Sequence, residues 1–353
     1  MSSLQQTLVR PVGYALLAAF LFGVSTPLAK ILVGEIHPLI LAGLLYVGMG
    51  FALLVVHLLF STGQSGPREA PLRRGDLPWL AATVLAGGVI APVLLMAGLS
   101  TTPAATASLL LNFEAAATIL IAFLVFRESM SRRAWLAVTV IIVAAITLSL
   151  DISGEFGLSV GSLAVIGACI FWGIDNNTTR VISLRDPTAI GSVKGLVAGG
   201  ITLGVAWLLR SPVPAEPEIL SALALGVVSY GLSTIFFILA LRGLGAARTG
   251  AYFSAAPFIG AAASFVIFLS LPDFQFIAAL PLMILGGWLL LSESHAHRHH
   301  HPNIVHEHRH RHDDLHHRHQ HPEGMEADMH SHVHEHPAME HTHPHTPDIH
   351  HRH

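Results

Sequence analysis

Residues 22–30 of the chain read FGVSTPLAK, and residues 172–180 read WGIDNNTTR. Each stretch has an aromatic residue followed by a glycine, with a basic residue seven positions after that glycine. In both cases a proline opens the next apolar segment, at Pro38 and at Pro187. The chain therefore contains two related halves, and the two stretches occupy equivalent positions in them.

Apolar segments long enough to cross a membrane surround these two stretches. A helix needs about 20 mostly apolar residues to cross the ~30 Å hydrocarbon core of a bilayer. Only 12% of the residues are charged, about half the share in ordinary globular proteins. Ten segments have the required length: 12–33, 38–60, 77–100, 104–126, 134–150, 160–182, 188–209, 218–241, 249–270 and 274–292. They predict an all-α integral membrane protein, because helices satisfy their backbone hydrogen bonds without water.

The number of segments in each half determines how the halves are related. Five is an odd number, so the second half must lie inverted in the membrane relative to the first. Inverted repeats are typical of secondary transporters, which bind substrate near the membrane midplane between the repeats. The predicted domains are a short N-terminus (1–11), two five-helix repeats (12–150 and 160–292) and a tail (295–353).

The basic residues of the loops predict the orientation of the helices. Loops on the cytoplasmic side of a membrane are enriched in lysine and arginine. The loops of one side carry ten arginines, whereas those of the other side carry Arg210 alone. We therefore expect a multi-pass protein of the cell (inner) membrane with both termini in the cytoplasm.

Further motifs make the chain similar to a known family. Residues 111–114 read LNFE, and 126–129, at the end of the same segment, read FRES. The second half has Ala256-Pro257-Phe258 but carries Ser270 in place of the exit glutamate. Together with the paired openings, these motifs resemble the drug/metabolite transporter superfamily, specifically EamA-type ten-helix transporters, over residues 12–292. The resemblance implies alternating-access transport, commonly export, of a small organic solute.

Glu114 is predicted to lie near the middle of the bilayer. A charge there costs at least ~2.5–3.5 kcal/mol on insertion scales, so such residues usually face a cavity or a partner. Because loss of water favours the uncharged acid, Glu114 can take up a proton near neutral pH. We interpret it as a proton-coupling or cation-binding carboxylate, the alternative being a protonated glutamate that holds helices together. Asn112 beside it is a second candidate for the substrate pathway.

The most polar stretch within any predicted membrane segment runs from Asp175 to Arg180. Residues at i, i+3, i+4 and i+7 share one face of a helix. Two such faces occupy equivalent positions: Gly23, Thr26, Pro27 and Lys30 in the first half, and Gly173, Asn176, Asn177 and Arg180 in the second. They predict a substrate pathway between the repeats, and Pro27 would open the backbone there. Alternatively, the amides only hold helices together, and Arg180 extends to the cytoplasmic interface.

Lys194 is predicted to lie one to two turns inside the seventh segment. It is either the counter-ion of Asp175 on the preceding helix or a lysine that extends to the inner interface. Glycine pairs such as Gly87-Gly88 are interpreted as places where helices approach closely. No strand precedes them, so they do not predict a nucleotide-binding loop.

The last 59 residues form a histidine-rich tail with 23 of the 25 histidines. Its few apolar side chains cannot form a core, so we expect it to be disordered. Neutral imidazoles bind Zn, Ni, Co and Cu ions, and such tracts indicate metal binding; alternatives are a pH-responsive tail or a tract without function. The candidate ligands are His299, His300, His301, His306, His308, His310, His312, His316, His317, His319, His330, His332, His334, His336, His341, His343, His345, His350, His351 and His353.

These features favour a secondary transporter of a small metabolite or drug-like solute, with a proton gradient as the candidate driving force. Alternatives are a transporter of Ni, Co, Zn or a metal complex, with the tail as metal collector or sensor, and a metal-responsive membrane sensor that transports nothing. We expect no enzyme, since the segments contain no His-Glu-x-x-His motif and no Ser/Lys dyad. The expected partners are lipid, a small solute and transition-metal ions, without nucleic acid and with a homodimer left open. No cofactor is required.

Overall fold

The computed structural model describes residues 3–61, 70–128, 130–151, 157–183 and 185–292, together with 295–301, 304–311, 329–336 and 339–345. Ten helices, numbered α1 to α10, follow one another up and down through a bundle. They are α1, Ser3–Gly23 and Ser25–Leu32; α2, Pro38–Ser61; α3, Arg74–Asp76 (3₁₀), Leu77–Thr83, Val84–Ile90 (π) and Ala91–Thr101; α4, Ala104–Leu110 and Phe113–Phe126; α5, Arg132–Ser149; α6, Val160–Val181; α7, Pro187–Leu208; α8, Glu216–Leu225, Gly226–Leu232 (π) and Ser233–Leu244; α9, Ala246–Phe253 and Ala256–Phe268; and α10, Phe274–Leu291.

By length and composition, nine helices in the described part of the chain can cross a membrane. The remaining helix, α6, is also 22 residues long, but Asp175, Asn176 and Asn177 make it less apolar than the others. The bounds agree with the ten predicted segments to within a few residues, except that α1 begins at Ser3 rather than at 12. The predicted all-α membrane fold is confirmed.

The outer surface of the bundle is apolar, as contact with lipid requires. Large aliphatic side chains such as Leu124 on α4 and Val266 on α9 are 70% and 73% exposed. A contiguous surface of this kind would associate or aggregate in water. Lipid tails are as apolar as these side chains, so the same surface is stable in a bilayer.

Irregularities of the helices recur at equivalent places in the two halves. The third helix of each half, α3 and α8, contains a seven-residue π segment. The fourth helix of each half, α4 and α9, is interrupted after its first two turns. Both of these helices also end on a residue with positive φ, Arg127 at 57° and Leu269 at 50°. The two repeats therefore share backbone shape as well as helix number.

Pro27 interrupts α1, as the sequence predicted, and the helix restarts at Ser25. Proline has no N–H to donate to the carbonyl four residues earlier, here that of Gly23, and its ring presses against this carbonyl. Gly23 lies against α9, where a Cβ would be 2.5 Å from the carbonyl oxygen of Ala256. The interruption therefore falls where the first half contacts the second.

The second helices of the two halves, α2 and α7, cross closely. Each begins with a proline, and Asp186 caps α7 by accepting hydrogen bonds from the N–H groups of Thr188 and Ala189. At the crossing, a Cβ on Gly50 would lie 2.5 Å from the backbone nitrogen of Leu196, and a Cβ on Gly195 would lie 2.5 Å from the Cα of Gly50. Only glycine allows these backbones to approach so closely.

Short strands lie outside the helices. β1 (Leu150–Asp151) and β2 (Gly157–Leu158) pair between the two halves. In the tail, β3 (His295–His301) pairs with β6 (Met339–His345), and β4 (Ile304–Arg311) pairs with β5 (Met329–His336). The sequence did not predict these strands. Antiparallel pairing requires only backbone hydrogen bonds, so a lack of apolar side chains does not exclude it.

Candidate functional site

A cavity of about 600 Å³ lies between the two halves. Its walls come from α1, α2 and α4 of the first half and from α6, α7 and α8 of the second. This volume lies within the range of ~300–1,000 Å³ that is usual for small-molecule sites. Ser183 and Arg185 line one end of the cavity. It therefore extends toward the end of the bundle where Arg73, Arg127 and Arg185 lie, which we call the arginine-rich end.

Asp175 of α6 forms a buried network at the wall of this cavity. Lys194 of α7 forms an ion pair with its carboxylate, and the hydroxyl of Thr83 on α3 donates a hydrogen bond to it. Thr179 donates a further hydrogen bond over 3.1 Å. The exposed fractions of the Asp175 and Lys194 side chains are only 7% and 15%. Of the two roles considered for Lys194, the structure thus shows the counter-ion.

The π segment of α3 makes room for this network. A Cβ on Gly87 would collide with the carboxylate of Asp175, so only glycine fits there. The carbonyl oxygen of Gly87 accepts hydrogen bonds from the hydroxyl of Tyr46 (2.6 Å) and from the indole N–H of Trp172 (3.2 Å). π segments change the usual hydrogen-bond pattern of a helix and are frequent at functional sites.

Glu114 lies directly after the interruption of α4. Turns of the i→i+3 type at Leu111 and Asn112 join the two pieces of the helix. The carboxylate accepts a hydrogen bond from the side-chain amide of Asn176 at 2.9 Å, and the same amide lies 3.1 Å from the hydroxyl of Thr118. Within the described chain, no lysine, arginine or histidine forms an ion pair with Glu114. Predicted site residues from opposite halves thus come together here.

Three other predicted pathway residues lie beside the cavity rather than on its wall. Asn112 donates to the backbone carbonyl of Leu109 within its own helix. Asn177 donates to the carbonyls of Thr118 and Gly173, and so connects α6 with α4. The guanidinium of Arg180 forms an ion pair with Glu128 and lies 5.4 Å from the centre of the Phe126 ring. Asn177 and Arg180 therefore hold α6 against α4, whereas Asn112 stabilises the interrupted part of α4 itself.

The first-half face that contains Thr26 and Lys30 lies away from this cavity. Thr26 is buried. The ammonium of Lys30 donates to the carbonyls of Leu99 (2.5 Å) and Ser100 (3.3 Å), at the end of α3. It lines a separate cavity of about 290 Å³ with Ser270 and Asp273, at the opposite end of the bundle. The structure therefore brings Glu114, Asp175, Asn176 and Lys194 together, but not the two equivalent faces.

A polar cluster at the arginine-rich end connects the two halves. Arg185 forms an ion pair with Asp76 at 2.8 Å. His57 lies 3.0 Å from the carboxylate of Asp186, and the backbone N–H of Asp186 donates to the carbonyl of Ala70. The sequence does not single out this cluster, because its paired members lie more than 100 residues apart and occur near loops, where polar residues are expected.

The metal-binding prediction concerns residues that the structure describes only in part. Among the side chains it describes, no three of His, Cys, Asp and Glu are close enough to hold a metal ion together. The side chains of the predicted histidine ligands, from His299 to His353, lie outside this description. Metal binding by the tail remains a prediction.

Two inverted five-helix repeats around a cavity that holds charged and polar side chains define a ten-helix membrane transporter. The chain belongs to the EamA-like transporter family, which matches residues 10–150 and 159–292. It is 33% identical over 265 residues to an uncharacterized transporter of Methanothermobacter thermautotrophicus, covering 71% of this chain and 77% of that protein. A protein of known crystal structure superposes with a TM-score of 0.57 over 79% of this chain and 95% of its own, at 18% identity. At that identity, the likeness shows the fold alone.

Proposed function

We propose that the protein is a secondary transporter that exports a small organic solute by alternating access through the cavity between its halves. One observation carries this proposal: both halves contribute intramembrane charged or polar groups to the same cavity, Glu114 from α4 and Asp175 with Asn176 from α6. When two repeats rock against each other around such a site, the site faces the two sides of the membrane in turn.

The distribution of arginines supports an inward-facing conformation. Arginine-rich loops favour the cytoplasmic side, and the cavity extends to Ser183 and Arg185 at that end. A solute would therefore enter from the cytoplasm and leave at the opposite end after the halves have rocked.

Glu114 is the candidate for proton coupling. Asp175 already has a counter-ion in Lys194, so its charge is compensated. The polar contact of the Glu114 carboxylate within the described chain is the neutral amide of Asn176. A carboxylate without a cation beside it can gain and lose a proton at a lower electrostatic cost than one that is held in an ion pair.

Export can be tested without knowing the solute. Cells that produce the wild-type protein, Glu114→Gln or Glu216→Gln in equal amounts would be compared by mass spectrometry of the surrounding medium. Glu216 is an exposed carboxylate at the start of α8 and serves as the matched control. We expect at least one solute to accumulate outside cells with the wild type or the control, but not with Glu114→Gln. Identical profiles for all three proteins would contradict the proposal.

A second candidate function is transport of a transition metal or its complex. The observation that favours it is the tail, where 23 histidines lie within 59 residues and His306, His308 and His310 are registered opposite His334, His332 and His330. The cellular content of Zn, Ni and Co would be measured with the full-length protein, with a truncation at Ser294, and without the protein. A change in metal content caused by the protein favours this candidate. A metal response without any solute or metal flux would instead indicate a sensor.

A further inference from the structure

The charges around the central cavity do not cancel. Besides Glu114, three residues with ionisable side chains line it: Asp175, Lys194 and Arg185. Asp175 is paired with Lys194, and Arg185 is paired with Asp76. Among the described residues these pairs leave the carboxylate of Glu114 as the uncompensated charge of the cavity. An ionised Glu114 therefore gives the cavity a net negative charge.

The walls around this charge are rich in aromatic rings. Phe22, Tyr46, Trp172, Tyr230 and Phe237 all line the cavity. The rings of Phe22 and Tyr46 lie 5.7 and 6.1 Å from that of Tyr230, so these three form a continuous wall. Because Tyr46 and Trp172 donate their polar hydrogens to Gly87, what they offer the cavity is mainly their rings. The faces of aromatic rings attract cations and disfavour anions.

We infer that the transported solute is an organic cation with a bulky apolar or aromatic body. Its charged nitrogen would bind the Glu114 carboxylate beside Asn176, and its body would lie against the aromatic wall. This inference rests on the proposed transport function and names the substrate class of the same cavity. A carboxylate that can hold either a proton or a cation also gives a simple means of exchanging one for the other.

Two probes of equal shape and opposite charge test the inference. The full-length protein in nanodiscs would be titrated with radiolabelled tetraphenylphosphonium, a cation, and with tetraphenylborate, an anion, and displaceable binding would be counted. We expect saturable binding of the cation alone. The affinity should fall at least tenfold in Glu114→Gln, stay close to the wild-type value in Glu114→Asp, which keeps the charge, and be unchanged in the control Glu216→Gln.

Equal displaceable binding of both probes, or an unchanged affinity in Glu114→Gln, would overturn the inference. If neither Glu114 variant folds, the wild type alone tests the inference: preferential binding of the cation supports it, and preferential binding of the anion overturns it. A failure of this inference is distinct from a failure of the proposed function. If export depends on Glu114 but the protein does not bind the cation, the proposed transport function stands and the proposed substrate class is rejected. Absence of any exported solute would reject transport itself.

Discussion

The ion pair of Asp175 and Lys194 shows how this bundle accommodates charge within the membrane. Each ion loses most of its water, and the loss is offset only if the partner and the surrounding hydrogen bonds are in place. Thr83 and Thr179 supply those hydrogen bonds from α3 and α6. The network therefore joins the third helix of the first half to the first two helices of the second.

Removing one member of this pair should harm the protein more than removing both. In Lys194→Met, Asp175 keeps a buried charge without a counter-ion, and we expect a loss of about 3–5 kcal/mol in the free energy of unfolding. The double variant Asp175→Asn, Lys194→Met should recover most of that loss. Thermal unfolding of the purified proteins in detergent measures both. A single variant as stable as the wild type would show that the pair is not a compensated unit.

The sequence identified some residues of the site and not others, for a physical reason. Glu114, Asp175 and Lys194 are conspicuous because a charge in an apolar segment is costly and calls for a partner. Thr83 gives no such signal, since a threonine hydroxyl can also be satisfied by its own helix. The sequence around Gly87 indicates only a close approach of helices, because its role beside Asp175 depends on a contact between residues 88 positions apart.

At the scale of helices, apolar length predicted each segment but not its internal shape. The interruption of α1 was predictable because Pro27 removes a specific hydrogen bond. The π segments of α3 and α8, Val84–Ile90 and Gly226–Leu232, contain no proline and leave the apolar pattern intact. They recur at equivalent places in both halves, although hydropathy cannot reveal them.

The crossing of α2 and α7 gives a prediction at this scale. Gly50→Ala places a methyl group where the backbone of α7 already lies, and overpacking of this kind typically costs about 1–3 kcal/mol. Gly200→Ala, on α7, is the matched control, because a Cβ there meets nothing within 4 Å. Thermal unfolding should show a lower midpoint for Gly50→Ala and little change for Gly200→Ala. Equal midpoints would mean that α2 and α7 can separate at little cost.

At the scale of the whole molecule, inversion explains why the two equivalent faces do not meet. Lys30 and Arg180 both lie near the ends of their helices, and those helices run in opposite directions through the bundle. Equivalent positions therefore lie at opposite ends, as the separate surroundings of these two residues show. The sequence predicts the inverted repeat, but the prediction that the two faces share one pathway conflicts with that inversion, which separates equivalent positions along the membrane normal.

Orientation in the membrane can be tested with two serines at opposite ends of the bundle. Cys169 is the only cysteine of the chain and is buried, so Cys169→Ala provides a cysteine-free background. Ser183 and Ser270 are both exposed, which makes Ser183→Cys and Ser270→Cys a matched pair. A membrane-impermeant maleimide added to intact cells should label position 270 at once, and position 183 only after the membrane is opened. The reverse pattern would place the arginine-rich end outside the cytoplasm.

The tail from His295 to His353 should bind several Zn, Ni or Co ions and should not be needed for the helical bundle. The family match ends at residue 292, and the tail has too few apolar residues to form part of a core. A truncation at Ser294 should therefore keep the helical circular dichroism and the unfolding temperature of the full-length protein.

Because imidazoles bind metal only when neutral, the affinity of the full-length protein should fall steeply as pH drops through about 6.5. Isothermal titration calorimetry of both proteins measures this. Equal metal binding by the truncation would place the sites in the core, and loss of its fold would show that the bundle depends on the tail.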